Sequence, residues 1–406
     1  MKVLLAVLLV AAGASIVCAE MQFDVDIASH LEHLDTQRFP NERFSNGRLA
    51  AQKYIKERFV NYGFKVFEHK FNTTINPDPT GLTSNEKLVE GVNIIAIAEA
   101  ESNKSGAVLL VGADYDTNGW DDPLYNNGAG LAAMLETARL FMHNSRWSGQ
   151  YVQNFTTIFV AFDLNTKEHQ HSPGKPGALH FVHDYLWPYL NESEANFGGA
   201  FILDSIMNVN FNENSQTVDD DFHKMFPETY KRIVESGYKG NFLTALTVSG
   251  TKADMLKDQF SGSYNKERKL SMYRLEDMDI TMPSVILNKL IIELTKQDTI
   301  HFWTFTIDNA IDNTTTQLPL PAILITDTQG LRKRPPLPDS CQKGCPINLL
   351  LTQDTVDFMD ATVKSLTRTL IRRQASPVTD SGTSRGILPS LLVTALLFAL
   401  ARIYEV

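Results

Sequence analysis

Apolar positions recur at helical spacing over residues 48–62, where Ala51, Ile55, Phe59 and Tyr62 share one face and Gly63 follows as a stop. The pattern predicts an amphipathic helix. Residues 64–74 read as a strand with Phe64 and Val66 on one side, and 92–98 is a second strand candidate. Runs at 107–113, 156–162, 200–203 and 322–326 are apolar throughout, the signature of strands covered on both faces. The clearest helix spans 131–142, with Leu131, Met134, Leu135 and Ala138 at helical spacing. Strands alternating with helices in one chain predict an α/β fold with a mixed, mostly parallel central sheet flanked by helices, rather than a sandwich.

The two ends of the chain break this pattern. Lys2 precedes an apolar run at 3–17, and the small residues Cys18 and Ala19 follow, as in a secretory signal peptide over 1–19. At the far end a second apolar run, 387–400, is shorter than the roughly 20 residues a membrane-spanning helix needs and carries Pro389 near its start. Before it lie Ser376, Asp380, Ser381, Gly382, Thr383 and Ser384, all small or polar. Small acceptor, polar spacer and apolar tail together form the signal for a GPI anchor, with Ser381 and Gly382 as acceptor candidates. The alternatives are a marginal membrane helix and an apolar tail. The expected layout is a signal peptide at 1–19, a single domain at 20–375, and a polar linker with anchor signal at 376–406.

Composition agrees with an extracellular chain. At 406 residues and 43% hydrophobic content it can bury one large core or two modest ones. Asn-x-Ser/Thr sequons begin at Asn72, Asn103, Asn154, Asn191 and Asn313, which predicts a glycoprotein. Once Cys18 leaves with the signal, only Cys341 and Cys345 remain, and in an oxidising compartment they are expected to close a small disulfide loop. Without residues 1–19 and 385–406 the chain keeps 34 basic and 46 acidic side chains, a net charge of −12 that argues against nucleic acid as a partner. No internal repeat is visible, which removes solenoids and propellers.

Asp114, Asp163, Asp204 and Asp327 each sit at or just beyond the end of an apolar strand run. In open α/β sheets ligands bind in the crevice outside the carboxyl ends of the strands, so these four acids are candidates for one site. Taken singly, each also suits a plain turn or helix cap. No Gly-x-Ser-x-Gly elbow, dinucleotide fingerprint or phosphate loop is present.

Several segments together resemble zinc peptidases of the M28 type, a group of aminopeptidases with glutaminyl cyclases as a related branch. They are the Ala-Ala-x-x-Tyr-Ile segment at 50–55, Val-Leu-Leu-Val-Gly-Ala ending at Ala113, Phe-Val-Ala-Phe-Asp ending at Asp163, and Pro-Ala-Ile-Leu-Ile-Thr from Pro321. The resemblance runs over about residues 46–370 and implies a zinc-aminopeptidase-like fold. In that family the first of these strands ends in His-Tyr-Asp, the His binding zinc and the Asp orienting it; here the triplet is Asp114-Tyr115-Asp116. The place of the bridging Asp holds Asn126, and the Glu-Glu pair, base and ligand, is matched by Asn165 and Thr166. An amide cannot supply the bridging charge, and neither Asn nor Thr takes a proton from water at neutral pH. Asp204 matches a retained ligand Asp. For the last ligand, a His, spacing favours Asn313, with His301 as the other candidate.

A shifted match keeps a second reading open, in which Glu168 is the base and His169 or His171 a ligand, together with His301 and Asp204. His180 and His183, one helical turn apart, are read as a satisfied pair. Asp114, Asn126 and Asp204 alone form an oxygen-only set that suits a hard cation such as Ca²⁺ or Mg²⁺, and only weakly. The expectation is an M28-like pseudoenzyme without catalytic residues or a cofactor, at the cell surface or shed into extracellular matrix. Its partner is an unidentified extracellular protein or peptide, and it meets the membrane through the lipid anchor. The alternative is an active zinc aminopeptidase with a rearranged site.

Overall fold

The computed structural model describes residues 25–377, apart from 102–105, 148–150, 166–171, 248–251, 267–269, 276–283, 310–313, 328–331, 334–344 and the single positions 79, 81, 84, 120, 173 and 346. Eight strands build the central sheet: β1 Lys65–Ile75, β2 Lys87–Ala98, β3 Ala107–Asp114, β4 Thr156–Phe162, β5 Asn196–Asp204, β6 Phe242–Leu246, β7 Ser271–Arg274 and β8 Ala322–Thr326. Their order across the sheet is β1-β2-β4-β3-β5-β8-β6-β7. The β4-β3, β3-β5, β5-β8 and β6-β7 pairs are parallel and the other three antiparallel, so the sheet is mixed and mostly parallel.

Both faces of the central strands are covered, as their unbroken apolar runs require. Ala96, Val111, Phe159, Phe201 and Ile323 point into one apolar layer with helices α1 Ile27–Leu34, α2 Ser45–Asn61, α3 Ala129–Met142, α5 Ala253–Tyr264 and α7 Gln353–Gln374. Their neighbours Ile97, Leu110, Ile158, Ile202 and Leu324 point into the other, built with α4 Pro227–Glu235, α6 Ser284–Thr295 and the helical stretch from Gly177 to Ser193. This period-two division between the layers is the strand geometry itself.

The expected elements form with shifted ends. The helix expected at 48–62 begins three residues earlier, where Asn41 Oδ1 accepts the Phe44 N–H at 3.0 Å and the Phe44 carbonyl accepts Gly47 and Arg48 N–H at 3.1 and 3.2 Å. The helix expected at 131–142 begins at Ala129 and is buried almost all round, including Glu136 at 0% exposure. Glu136 joins α1 to α3: its Oε1 accepts the Asp26 N–H at 2.8 Å and Arg139 Nη2 at 2.6 Å, while Oε2 accepts Arg139 Nε at 2.9 Å and lies 3.3 Å from His30 Nε2. His30 Nδ1 in turn meets the Tyr54 hydroxyl at 2.8 Å, which ties α1 to α2.

Candidate functional site

Strands β4, β3, β5 and β8 are adjacent and parallel, so their carboxyl ends share one edge of the sheet, spaced by about 5 Å per strand. Asp163 follows β4, Asp114 ends β3, Asp204 ends β5 and Asp327 follows β8, so the four strand-end acids form one row; all four are buried. After Asp163 and Asp204 the chain turns through left-handed residues, Leu164 at φ 55° and Ser205 at φ 51°. Side chains larger than glycine visit that region rarely, and such residues concentrate at sites.

The outer members of the row are committed. Asp163 is clamped by Arg48, whose Nε donates to Oδ1 at 2.9 Å and whose Nη2 donates to Oδ2; Oδ2 also accepts the Val92 N–H at 2.8 Å. Burial opposes the Arg48 charge, and the Asp163 carboxylate overcomes it and holds the guanidinium protonated. Asp327 Oδ2 accepts the Asn208 N–H at 2.5 Å. Arg332 is buried with Asp327 close enough to support its charge, and it donates to the Asn208 and Gly240 carbonyls at 3.0 Å each.

Between them the site is an amide and carboxylate network. Asn127 Nδ2 donates to Asp114 Oδ1 at 2.6 Å and to the Leu203 carbonyl at 2.8 Å, while its Oδ1 accepts the Ser205 and Gly130 N–H at 2.8 and 3.1 Å. That one side chain ties the ends of β3 and β5 to the first turn of α3. It is preceded by a cis Asn126–Asn127 peptide bond. Asn126 Oδ1 accepts the Asn118 N–H at 2.6 Å. Both Asp116 oxygens accept the Asn165 N–H at 3.1 Å, and Asn165 Nδ2 donates to the Lys296 carbonyl at 2.8 Å. Burial, and then the neighbouring Asp116 charge, push the Asp114 carboxyl up to about 7.

A cation sits beneath this network. Arg38 is 0% exposed, and its guanidinium donates to a ring of backbone carbonyls: Tyr115 at 2.5 Å, Thr36 at 2.8 Å, Pro123 at 2.9 Å, Asn126 at 3.3 Å, and Leu34. Burial lowers its pKa to about 10 although Asp114, Asp116, Asp35 and Asp122 support the charge. Arg38 therefore fixes the loops carrying Asp116 and Asn126.

Of the positions singled out in the sequence, Asp114, Asp116, Asn126, Asn165 and Asp204 come together here. Asp204 Oδ1 lies 3.4 Å from the Ser205 hydroxyl, which donates to the Tyr125 carbonyl at 2.6 Å. Thr166, Glu168, His169, His171 and Asn313 lie outside the described residues, as do Asn103, Cys341, Ser381 and Gly382. Cys345 is buried and disulfide-bonded. Asn72 is exposed on β1 and Asn191 on the last turn of the stretch ending at Ser193, while Asn154 is half-buried. His301 is half-buried on the short helix Ile300–Trp303. His180 Nδ1 meets Asp184 Oδ2 at 2.8 Å, and His183 packs on Phe305. Among the described residues no three His, Cys, Asp or Glu side chains gather as a metal-holding group.

The sequence reading passed over Arg38, Arg48 and Asn127, and the segment that supplies the Lys296 carbonyl, where Asp298 and Thr299 are buried. Arg38 and Arg48 reach partners far along the chain, so no local pattern marks them. The Asn126-Asn127-Gly128 run ahead of an apolar helix was the one available signal for Asn127.

The mixed sheet flanked by helices is an aminopeptidase-like α/β architecture. The aminopeptidase from Aneurinibacillus sp. strain AM-1 superimposes with a TM-score of 0.50 at 10% identity, over 87% of this chain and 95% of that one. Porphyromonas gingivalis glutaminyl cyclase matches with a TM-score of 0.45 at 12% identity, over 86% of this chain and 96% of that one. A Zn-dependent exopeptidase from Parabacteroides distasonis matches at 0.44 and 13%, over 87% and 98%. At such identities the likeness is one of fold. No protein-family profile and no curated protein matches the sequence.

Proposed function

We propose that this chain is a secreted, glycosylated and GPI-anchored protein in which the aminopeptidase-like fold has given up two-zinc hydrolysis and its strand-end crevice holds an extracellular peptide or protein. The observation that carries the reading is the 2.6 Å hydrogen bond from Asn127 Nδ2 to Asp114 Oδ1. Asp114 stands where the resemblance places the first zinc-binding His, and an amide donor already occupies one of its two carboxylate oxygens. Asn126, at the bridging position, turns its carbonyl oxygen to the Asn118 N–H, and Asn165, at the position of the base, is held through its own N–H and amide by Asp116 and Lys296. Zinc favours imidazole and thiolate with an activated water, and this carboxylate and amide set fits it poorly. The charge balance that a metal would supply falls to Arg38.

The second reading, an active zinc aminopeptidase, is favoured by the retained Asp204 at the end of β5. It would draw on Glu168, His169, His171 and His301. Elemental mass spectrometry of the secreted protein, purified without chelator or a metal-binding tag, separates the two. Substoichiometric zinc is expected; one or two equivalents, with peptide hydrolysis that chelator abolishes, would establish the enzyme. The anchor is checked on the same preparation: the protein should leave the detergent phase after phosphatidylinositol-specific phospholipase C, and a protein that stays there, or never enters it, is not anchored this way.

A further inference from the structure

A cavity of about 540 Å³ opens beside the start of α2, lined by Pro40, Asn41, Arg43, Arg48 and Lys87, with Glu42, Ser45 and Pro77 completing it. It adjoins the strand-end site through Arg48, which lines the cavity and also clamps Asp163 at the end of β4. Arg43, Arg48 and Lys87 line it with one acidic side chain, Glu42, and Arg48 is also paired with Asp163 behind it, in a chain whose net charge is −10.

Those cations are only partly used. Arg48 spends Nε and Nη2 on Asp163 and the Glu90 carbonyl, and its side chain is 14% exposed. Arg43 lies over the Phe44 ring at 4.9 Å, a contact that leaves its outward N–H groups in water. Lys87 Nζ comes within 3.9 Å of Glu42, whose side chain is 97% exposed, so water screens that pair and it contributes little. The planar fork of Arg43 suits bidentate capture of a carboxylate or a similar anion, and Arg48 keeps Nη1 as a further donor.

We propose that this cavity is a carboxylate-binding subsite of the strand-end crevice, and that the ligand is an acidic peptide segment whose side-chain or terminal carboxylate meets Arg43, Arg48 and Lys87. This rests on the reading of the crevice as a peptide-holding groove. A concavity one side chain away from that groove fits a single anionic group on a chain better than it fits an extended sulfated polymer, which needs a linear run of cations.

The test uses the secreted full chain and N-acetyl-hexaglutamate amide as probe, followed by calorimetry, with hexalysine and a heparin-derived hexasaccharide as comparisons. Hexaglutamate should bind, lose several-fold in affinity between about 50 and about 200 mM salt, and lose about tenfold for each cation removed in Arg43→Ala and Lys87→Ala. Both side chains are exposed, so unchanged melting temperatures verify folding. Absence of hexaglutamate binding overturns the proposal. So does binding indifferent to both substitutions, or binding of the hexasaccharide through Arg43 and Lys87 while the peptide fails. Mass spectrometry of hexaglutamate with a free N-terminus, incubated with the protein in parallel, keeps the two readings apart: a shortened peptide would end the non-catalytic reading and leave the subsite standing.

Discussion

Arg38→Leu is expected to destabilise the protein by about 4 kcal/mol or more, lower its melting temperature by roughly 10 °C and sharply reduce secretion. The cause is the number of acceptors left behind. The guanidinium serves five carbonyls, of the buried Leu34, Tyr115 and Asn126, the half-buried Pro123 and the exposed Thr36, and each buried acceptor left unsatisfied costs on the order of 1 kcal/mol or more. Asp114 and Asp116 lose the positive charge that partly offsets their own burial. Arg38→Lys keeps a charge but not the fork, so it should rescue less than half the loss. Arg43→Leu, five residues away and exposed, should stay within about 0.5 kcal/mol of wild type. Equal melting temperatures for Arg38→Leu and Arg43→Leu would refute a structural role for the buried cation.

Acid should release the N-terminal helix through Glu136. Burial alone would raise this carboxyl, but hydrogen bonds from Arg139, His30 and the Asp26 N–H, together with the Arg139 charge, outweigh it and hold the pKa at about 2. A carboxylate depressed in the folded state contributes stability that is complete above its unfolded pKa of about 4.5 and is lost as pH falls toward 2. The size is a few kcal/mol, since each tenfold change in proton affinity between the folded and unfolded chain is worth about 1.4 kcal/mol. Glu136→Gln should therefore be destabilised by that order at pH 7 and approach wild type near pH 2 to 3, as read by urea unfolding at both values. A gap between the two proteins that does not narrow in acid would rule out the ionised Glu136 as the tie between α1 and α3.

Such ties could not be foreseen from the sequence. Glu136 lies on the helix whose apolar spacing was plain, yet its partners His30 and Asp26 stand more than a hundred residues away. The same holds at the strand ends. The residues that populate the site were legible because an apolar run that stops at an acid marks the carboxyl end of a buried strand, and in an α/β sheet those ends are where sites form. That is how Asp114, Asp163, Asp204 and Asp327 stood out. Helices α4 to α7 went unmarked; the 22 residues of α7 carry an apolar stripe that includes Phe358, Met359, Leu366 and Leu370, and the charges between them obscure it.

By itself, then, the sequence determined six of the eight strands of the sheet and helices α2 and α3, that the central strands are covered on both faces, and which polar residues sit at their ends, because those properties follow from local periodicity and from side chains a few positions apart. Tertiary structure alone decided that β4, β3, β5 and β8 lie side by side, that β6 pairs antiparallel with β8 and parallel with β7, and that Asn127, Arg38 and Arg48 hold the site together. Hydrogen bonds and charge pairs between residues 77 or 115 positions apart depend on how the chain packs, and no local pattern encodes that.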